Sequence, residues 1–191
     1  GLIPVGSRAN ERGAWEMGLR PLPELAEAVK QAKAVYVAGA DPAGDDPALA
    51  VALWGTRFLV VQELFLTETA RLADVVLPAL PFTERDGSYT SGERRVQRFY
   101  PAVLPRAEAR PDYAITGQIS QLAGVDAEAG AAARVFTRLA AQVPAFNGLT
   151  FRQLAQVEAQ WPLIGRSDLY YGGTAYDNHQ GLGVHLALSS S

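Results

Sequence analysis

The chain has 191 residues, 48% of them hydrophobic, and a formal net charge of -3, which suits one globular domain or slightly more with a sizeable core. The mild acidity leaves no electrostatic footprint for nucleic acid, and no run approaches the roughly eighteen apolar residues of a bilayer-spanning helix. Because there is no cysteine, disulfides and cysteine-ligated iron–sulfur clusters within the segment are excluded.

Residues 1–20 are rich in glycine and polar side chains, carry a turn signal at Asn10-Glu11-Arg12-Gly13, and read as a structural loop. The opening Gly1-Leu2-Ile3-Pro4-Val5-Gly6 has neither the positive start nor the long apolar core of a signal peptide. With no initiating Met, the chain reads as a processed or excised piece. Pro23-Glu24 opens a helix to about Ala32, with proline and acid where a first turn favours them. Ala34-Val35-Tyr36-Val37-Ala38 is a buried strand delivering the chain into Gly39-Ala40-Asp41-Pro42. Asp46 then caps a helix with Pro47 at its first position, reaching about Leu53 and closed by Trp54-Gly55-Thr56.

The stretch 58–98 is the one around which the chain is organised. Phe58-Leu59-Val60-Val61 has the length and β-branched content of a strand buried in a parallel sheet. After a polar break at Gln62-Glu63, Thr67 caps a short helix through Ala70-Arg71-Leu72-Ala73. Asp74-Val75-Val76-Leu77 follows as a second strand, stopped by Pro78. These are the ingredients of a βαβ unit, although the connection is tighter than the dozen or so residues that parallel strands usually need. Residues 83–95 read as a long ordered loop or irregular hairpin, and Val96-Gln97-Arg98-Phe99-Tyr100 as a strand.

Downstream, a helix over 112–122 places Ile115, Ile119 and Leu122 on one stripe, read as core. A second, from about Glu128 to Gln142, turns Val135, Leu139 and Val143 inward, and Pro144 ends it. Thr150 caps a third over 151–160, with Leu154 and Val157 facing in. The last thirty residues are aromatic and glycine-rich. Tyr170, Tyr171 and Tyr176 suit docking onto a neighbouring domain or subunit. His179 and His185 lack a third ligand at metal-binding spacing, so no metal site is expected.

Leu66-Thr67-Glu68-Thr69-Ala70, Ala73-Asp74-Val75-Val76-Leu77-Pro78, Glu84, Gly87, Tyr89-Thr90, Glu93-Arg94-Arg95-Val96-Gln97 and Ala107-Glu108-Ala109-Arg110-Pro111-Asp112-Tyr113 together resemble the molybdopterin oxidoreductase family. That family includes molybdenum or tungsten enzymes such as formate dehydrogenases, and the large peripheral-arm subunit of bacterial NADH:quinone oxidoreductase (respiratory complex I). Asn10-Glu11-Arg12-Gly13-Ala14-Trp15-Glu16-Met17-Gly18 and Leu169-Tyr170-Tyr171-Gly172-Gly173 look most like the complex I subunit. Ser91-Gly92 replaces the family's usual threonine–asparagine.

The resemblance implies an α/β fold, a doubly wound and mainly parallel sheet with flanking helices, plus a helical C-terminal part and an extended tail. The expected organisation is an incomplete α/β domain over 1–110, helices packed on it over 111–160, and a docking tail over 161–191. The leading functional expectation is a catalytically silent scaffold segment of the complex I subunit. No cofactor would lie in the segment itself, and iron–sulfur clusters would lie upstream, in an assembly passing electrons from NADH to quinone. Its partners would be other domains of the same subunit and other peripheral-arm subunits, at the cytoplasmic face of the bacterial membrane, with no nucleic acid and no membrane span. The alternative is a pterin-dinucleotide-binding segment of a Mo/W-dependent oxidoreductase such as formate dehydrogenase, carrying a bis(pterin guanine dinucleotide). In that case Gly39, Asp41, Pro42, Gln62 and Glu63 would line the pocket, at the sheet edge where doubly wound folds bind nucleotides. The G-x-G-x-x-G fingerprint is missing, which argues against a nicotinamide site. Under both readings no catalytic residue lies here.

Glu63, Glu68, Glu84, Asp86 and Glu93 raise the question of a carboxylate cluster for acid–base work. Scattered over loops without a histidine between them, they read more plainly as caps and partners of Arg85, Arg94 and Arg95. Arg94, Arg95 and Arg98 are candidates for a phosphate site, since guanidinium forks suit phosphate oxygens.

Overall fold

A computed structural model describes residues 8–92, 94–106, 108–155 and 184–186. These form two compact units: Pro21–Arg85 with Ala102–Ala129, and the described residues of Gly1–Arg20, Asp86–Pro101 and Gly130–Ser191.

The first unit is a three-stranded parallel sheet flanked by helices, the expected α/β class. Its strands β1 (Val35–Ala38), β2 (Leu59–Glu63) and β3 (Val75–Pro78) lie in that order. Val35 pairs with Leu59, and Val60 with Val75. That register puts Val35, Val37, Leu59 and Val61 on one face, where they meet Val29, Ala52, Leu53 and Ala70 from the surrounding helices. Register is pinned from outside the ladder as well, because the Asp74 carboxylate accepts the Leu59 N–H at 2.7 Å.

Local chemistry explains where the helices begin. In α4 (Pro47–Trp54), Asp46 accepts the Ala48 N–H at 2.8 Å and Pro47 occupies the first turn, where its missing N–H costs nothing. In α5 (Glu68–Leu72), Thr67 accepts the Ala70 N–H at 3.1 Å. This single short helix is enough to cross over between two parallel strands. The other helices of the unit are α2 (Leu25–Gln31), α3 (Pro42–Asp45) and α6 (Asp112–Leu122). A 3₁₀ turn, Phe82–Glu84, follows β3.

The stripe expected on α6 is only partly core. Ile115 is buried, whereas Ile119 is 39% and Leu122 90% exposed. The buried face instead runs through Ala114, Ile115 and Gly117, because Gly117 lets the backbone at Glu128 and Ala129 come close. Leu77, Pro78, Ile115, Ile119 and Leu122 therefore line an open cleft of about 210 Å³ instead of a sealed core.

In the second unit, the stretch expected as a loop near the N-terminus contains a helix, α1 (Glu11–Glu16). Asn10 precedes it with φ 67°, a left-handed conformation that asparagine tolerates, and its side-chain oxygen accepts the Thr90 N–H at 2.9 Å. Residues 83–95 resolve into the start of a hairpin, in which β4 (Gly87–Thr90) pairs antiparallel with β5 (Arg95–Phe99). A short β6 (Val184–His185) extends β5. Arg94, also left-handed at φ 64°, holds Glu16 through two hydrogen bonds, Nε to Oε1 at 2.8 Å and Nη2 to Oε2 at 3.2 Å. Burial pushes the Glu16 carboxyl up, but hydrogen bonds from Arg94 and Arg12 outweigh it and hold the group below its ordinary value.

Helix α7 (Ala132–Gln142) buries Ala132, Phe136 and Ala140, not the Val135, Leu139 and Val143 stripe expected. Phe136 decides this by meeting Phe146 edge-on at 6.3 Å and Phe151 at 5.7 Å, and aromatic pairs of this kind outweigh a smaller aliphatic face. Thr150 does cap the following segment, accepting the Gln153 N–H at 3.3 Å; of the helix expected over 151–160, residues 151–155 are described and hold a 3₁₀ turn, Gln153–Ala155. Leu154 is fully buried, as its position on the expected inward face requires. Val157, the tyrosine tail and His179 lie outside the described residues.

Candidate functional site at the carboxyl edge of the parallel sheet

All five candidate residues sit at one end of the sheet, since Gly39 follows β1 and Gln62-Glu63 ends β2. The Gly39 N–H donates to the Gln62 carbonyl at 3.0 Å, so the two loops are in direct contact. Gly39 has φ 62°, and a Cβ added there would meet nothing within 4 Å. The turn thus needs glycine for its backbone and leaves open space beside it.

The candidates do different work. Asp41 is a structural knot: one carboxylate oxygen accepts the Thr69 N–H at 2.8 Å and the Thr69 hydroxyl at 2.7 Å. The Thr69 hydroxyl oxygen in turn accepts the Ala43 N–H at 2.9 Å. Hydrogen bonds from the Thr69 backbone and then its side chain hold the Asp41 carboxyl below its ordinary value. Pro42 occupies the first turn of α3 and has no N–H to offer a ligand.

Gln62 is buried, with its amide oxygen and nitrogen each hydrogen-bonded. Its amide oxygen accepts the Tyr36 hydroxyl, and its amide nitrogen donates to Asp112 at 2.5 Å. Asp112 also pairs with Arg85 at 3.1 Å, and the Arg85 Nε donates to the Leu80 carbonyl at 3.2 Å. Burial, and next the Asp112 charge, push the Tyr36 hydroxyl up. Tyr36, Thr69 and Asp112 were not singled out in the sequence. Only Tyr36 left a signal there, as a residue with a polar tip between the inward-facing Val35 and Val37.

Glu63 differs from these. It is half-buried, its Oε1 accepts the Leu64 N–H at 2.7 Å, and its Oε2 has no partner among the described residues. The site therefore offers an open glycine turn, one carboxylate oxygen with spare accepting capacity, and a rigid amide behind them. The remaining acids do not converge: Glu68 pairs with Arg71 at 3.7 Å and Glu84 accepts the Arg106 N–H at 3.0 Å. Glu93 lies outside the described residues. Among the described residues, no group of three or more His, Cys, Asp or Glu side chains could hold a metal, and no helix is long and apolar enough to cross a membrane.

Tyr36→Phe leaves the Gln62 amide oxygen buried without a donor, and a lost hydrogen bond of this kind costs about 1–2 kcal/mol. Because the folded Tyr36 value is raised, its contribution is fully present below the unfolded value near ~10 and is lost as pH rises through the folded value. Urea unfolding of both proteins at neutral pH and above pH ~10 checks both statements. Equal stability at neutral pH would refute the first.

Residues 5–122 match the profile of the molybdopterin oxidoreductase family. The chain belongs to that family. Over 152 residues it is 38% identical to the F420-dependent formate dehydrogenase 2 subunit alpha of Methanococcus maripaludis, covering 77% of this chain and 22% of that protein. Over 161 residues it is 36% identical to the F420-dependent formate dehydrogenase subunit alpha of Methanocaldococcus jannaschii, covering 78% of this chain and 24% of that protein. The chain thus spans about a quarter or less of the curated relatives it matches. These relatives overturn the expectation of a complex I subunit. They are formate dehydrogenase alpha subunits, so the NADH and quinone readings fall with it. The N-terminal and tyrosine-rich stretches, which looked most like the complex I subunit, did not separate the branches of the family.

Proposed function

We propose that the chain is a pterin-dinucleotide-binding segment of a molybdenum- or tungsten-dependent oxidoreductase of the formate dehydrogenase type. The observation that carries this is the open Gly39 turn next to Glu63, whose Oε2 has no partner among the described residues, in a family member most of whose length aligns with formate dehydrogenase alpha subunits. Guanine presents N–H donors on one edge, and the spare carboxylate oxygen of Glu63 is an acceptor for such a donor. The Gly39 turn lets a flat base or its ribose approach the backbone without meeting a Cβ. Asp41 and Gln62 serve by holding the two loops, with their side-chain polar groups already committed.

When bound, the cofactor supplies the metal-centred redox chemistry. This segment supplies recognition and orientation of one guanine end. The metal ligand and the remaining domains belong to other parts of the protein.

The test is elemental analysis of the full-length parent for molybdenum and tungsten, with released guanine nucleotide assayed in parallel. The proposal expects both near stoichiometry, and their absence from active protein would overturn it. Glu63→Gln replaces an acceptor with a donor at one oxygen. Loss of a charge-assisted hydrogen bond worth about 1.5–3 kcal/mol lowers guanine nucleotide retention roughly 10- to 100-fold. Unchanged retention would remove Glu63 from the site.

A further inference from the structure

Outside that site, one cation stands on the core-facing side of a strand. Along β5 the side chains of Val96, Arg98 and Tyr100 share a face, and Val96 is fully buried. Alternation asks for an apolar residue at position 98, yet a guanidinium is there. Its carbon lies 4.2 Å from the centre of the Tyr100 ring and 4.3 Å from that of Phe151, so two rings pack against it. Nε is buried and makes no hydrogen bond. No ion pair or hydrogen bond joins Arg98 to any described residue.

Arg94 and Arg95, its companions in the sequence, are engaged elsewhere. Cation–π contact stabilises a guanidinium by about 0.5–2 kcal/mol, but an unsatisfied buried charged group costs as much or more. An anion pairs best with a guanidinium in its plane, where the N–H fork matches two oxygens at once. Ser88 pairs with Arg98 across the hairpin on the same face, and its hydroxyl has no partner among the described residues.

We propose that Arg98, packed against Tyr100 and Phe151 and paired across the hairpin with Ser88, binds a phosphate group. A phosphate carries three acceptor oxygens and up to two charges, which suits a fork plus a hydroxyl better than a planar carboxylate does. The inference is independent of the guanine site and holds or fails without it.

The experiment follows the Arg98 Nε–H signal by NMR in the full chain during titration with inorganic phosphate, with ionic strength held constant by chloride. A saturable shift confined to Arg98 is expected. Arg98→Lys, which keeps the charge and loses the fork and with it the Nε–H signal, is followed by calorimetric titration with phosphate beside the wild type and should bind at least about 10-fold more weakly. Tyr100→Leu, which leaves Arg98 in place and removes one of the two rings packed against it, should also weaken binding and serves if the lysine variant does not fold. A parallel titration with a nucleoside diphosphate separates the sources: tighter binding places the phosphate on a nucleotide, and equal binding points to free phosphate. No saturable shift, an unchanged titration in both variants, or equal saturation by acetate would overturn the proposal.

Discussion

Asp41→Ala should destabilise the sheet-bearing unit by about 2–4 kcal/mol, summing a lost helix cap and charge-assisted hydrogen bonds to the Thr69 backbone and hydroxyl. Asp41 is where the loop after β1 is fastened to the start of α5, so the substitution frees both segments at once. Asp41→Asn keeps an oxygen acceptor and a good cap and loses the charge. It should cost about half as much or less. The pH dependence has a defined sign. The folded carboxyl lies below its ordinary value, so its contribution is fully present above the unfolded value near ~3.9 and fades as pH falls through the folded value.

The difference between wild type and Asp41→Ala should therefore be largest near neutral pH and shrink in acid. Urea unfolding at both pH values measures it, and a neutral-pH difference under ~0.5 kcal/mol, the scale of an ordinary surface substitution, would show that the knot does not hold the loop. Thr69→Ala supplies the double-mutant control, and coupling above ~0.5 kcal/mol is expected for groups in direct contact.

Gly117→Val should cost about 3 kcal/mol. In a helix interior, replacing glycine with alanine ordinarily stabilises by roughly 1 kcal/mol, so the sign depends on space. A Cβ at Gly117 would lie 2.5 Å from the Glu128 carbonyl oxygen, 2.8 Å from the Ala129 Cβ and 2.9 Å from its Cα. Two of these are backbone atoms and the third is a methyl group with nowhere to swing, so relief requires moving the chain itself. Overpacking of this kind costs about 1–3 kcal/mol, which cancels or exceeds the propensity gain for Gly117→Ala and dominates for the larger, β-branched valine. Thermal unfolding of both variants checks the order. A Gly117→Ala protein more stable than wild type by the full propensity gain would show that residues 128–129 yield freely.

How much of the site was legible depended on where each residue's partner lies. Gly39, Asp41, Pro42, Gln62 and Glu63 could be chosen because they follow strands, and strand ends can be read from short β-branched runs. Their roles could not be read the same way. Asp41 is committed to Thr69, 28 residues on, and Gln62 to Asp112, 50 residues on. Neither spacing has a local signature, so both looked as available for a ligand as Glu63.

The sequence by itself determined the α/β class, the three parallel strands, the caps at Asp46 and Thr67, and membership of the family. Each of these rests on interactions between residues close in the chain, or on ordered blocks of them. Which apolar stripes are core depends on contacts between elements distant in the chain. Gly117 admits residues 128–129 and turns Ile119 and Leu122 outward, and Phe136 draws α7 onto Phe146 and Phe151 in place of the Val135 face. Burial is set by what a helix meets, and a period of 3.6 residues reports only what the helix offers.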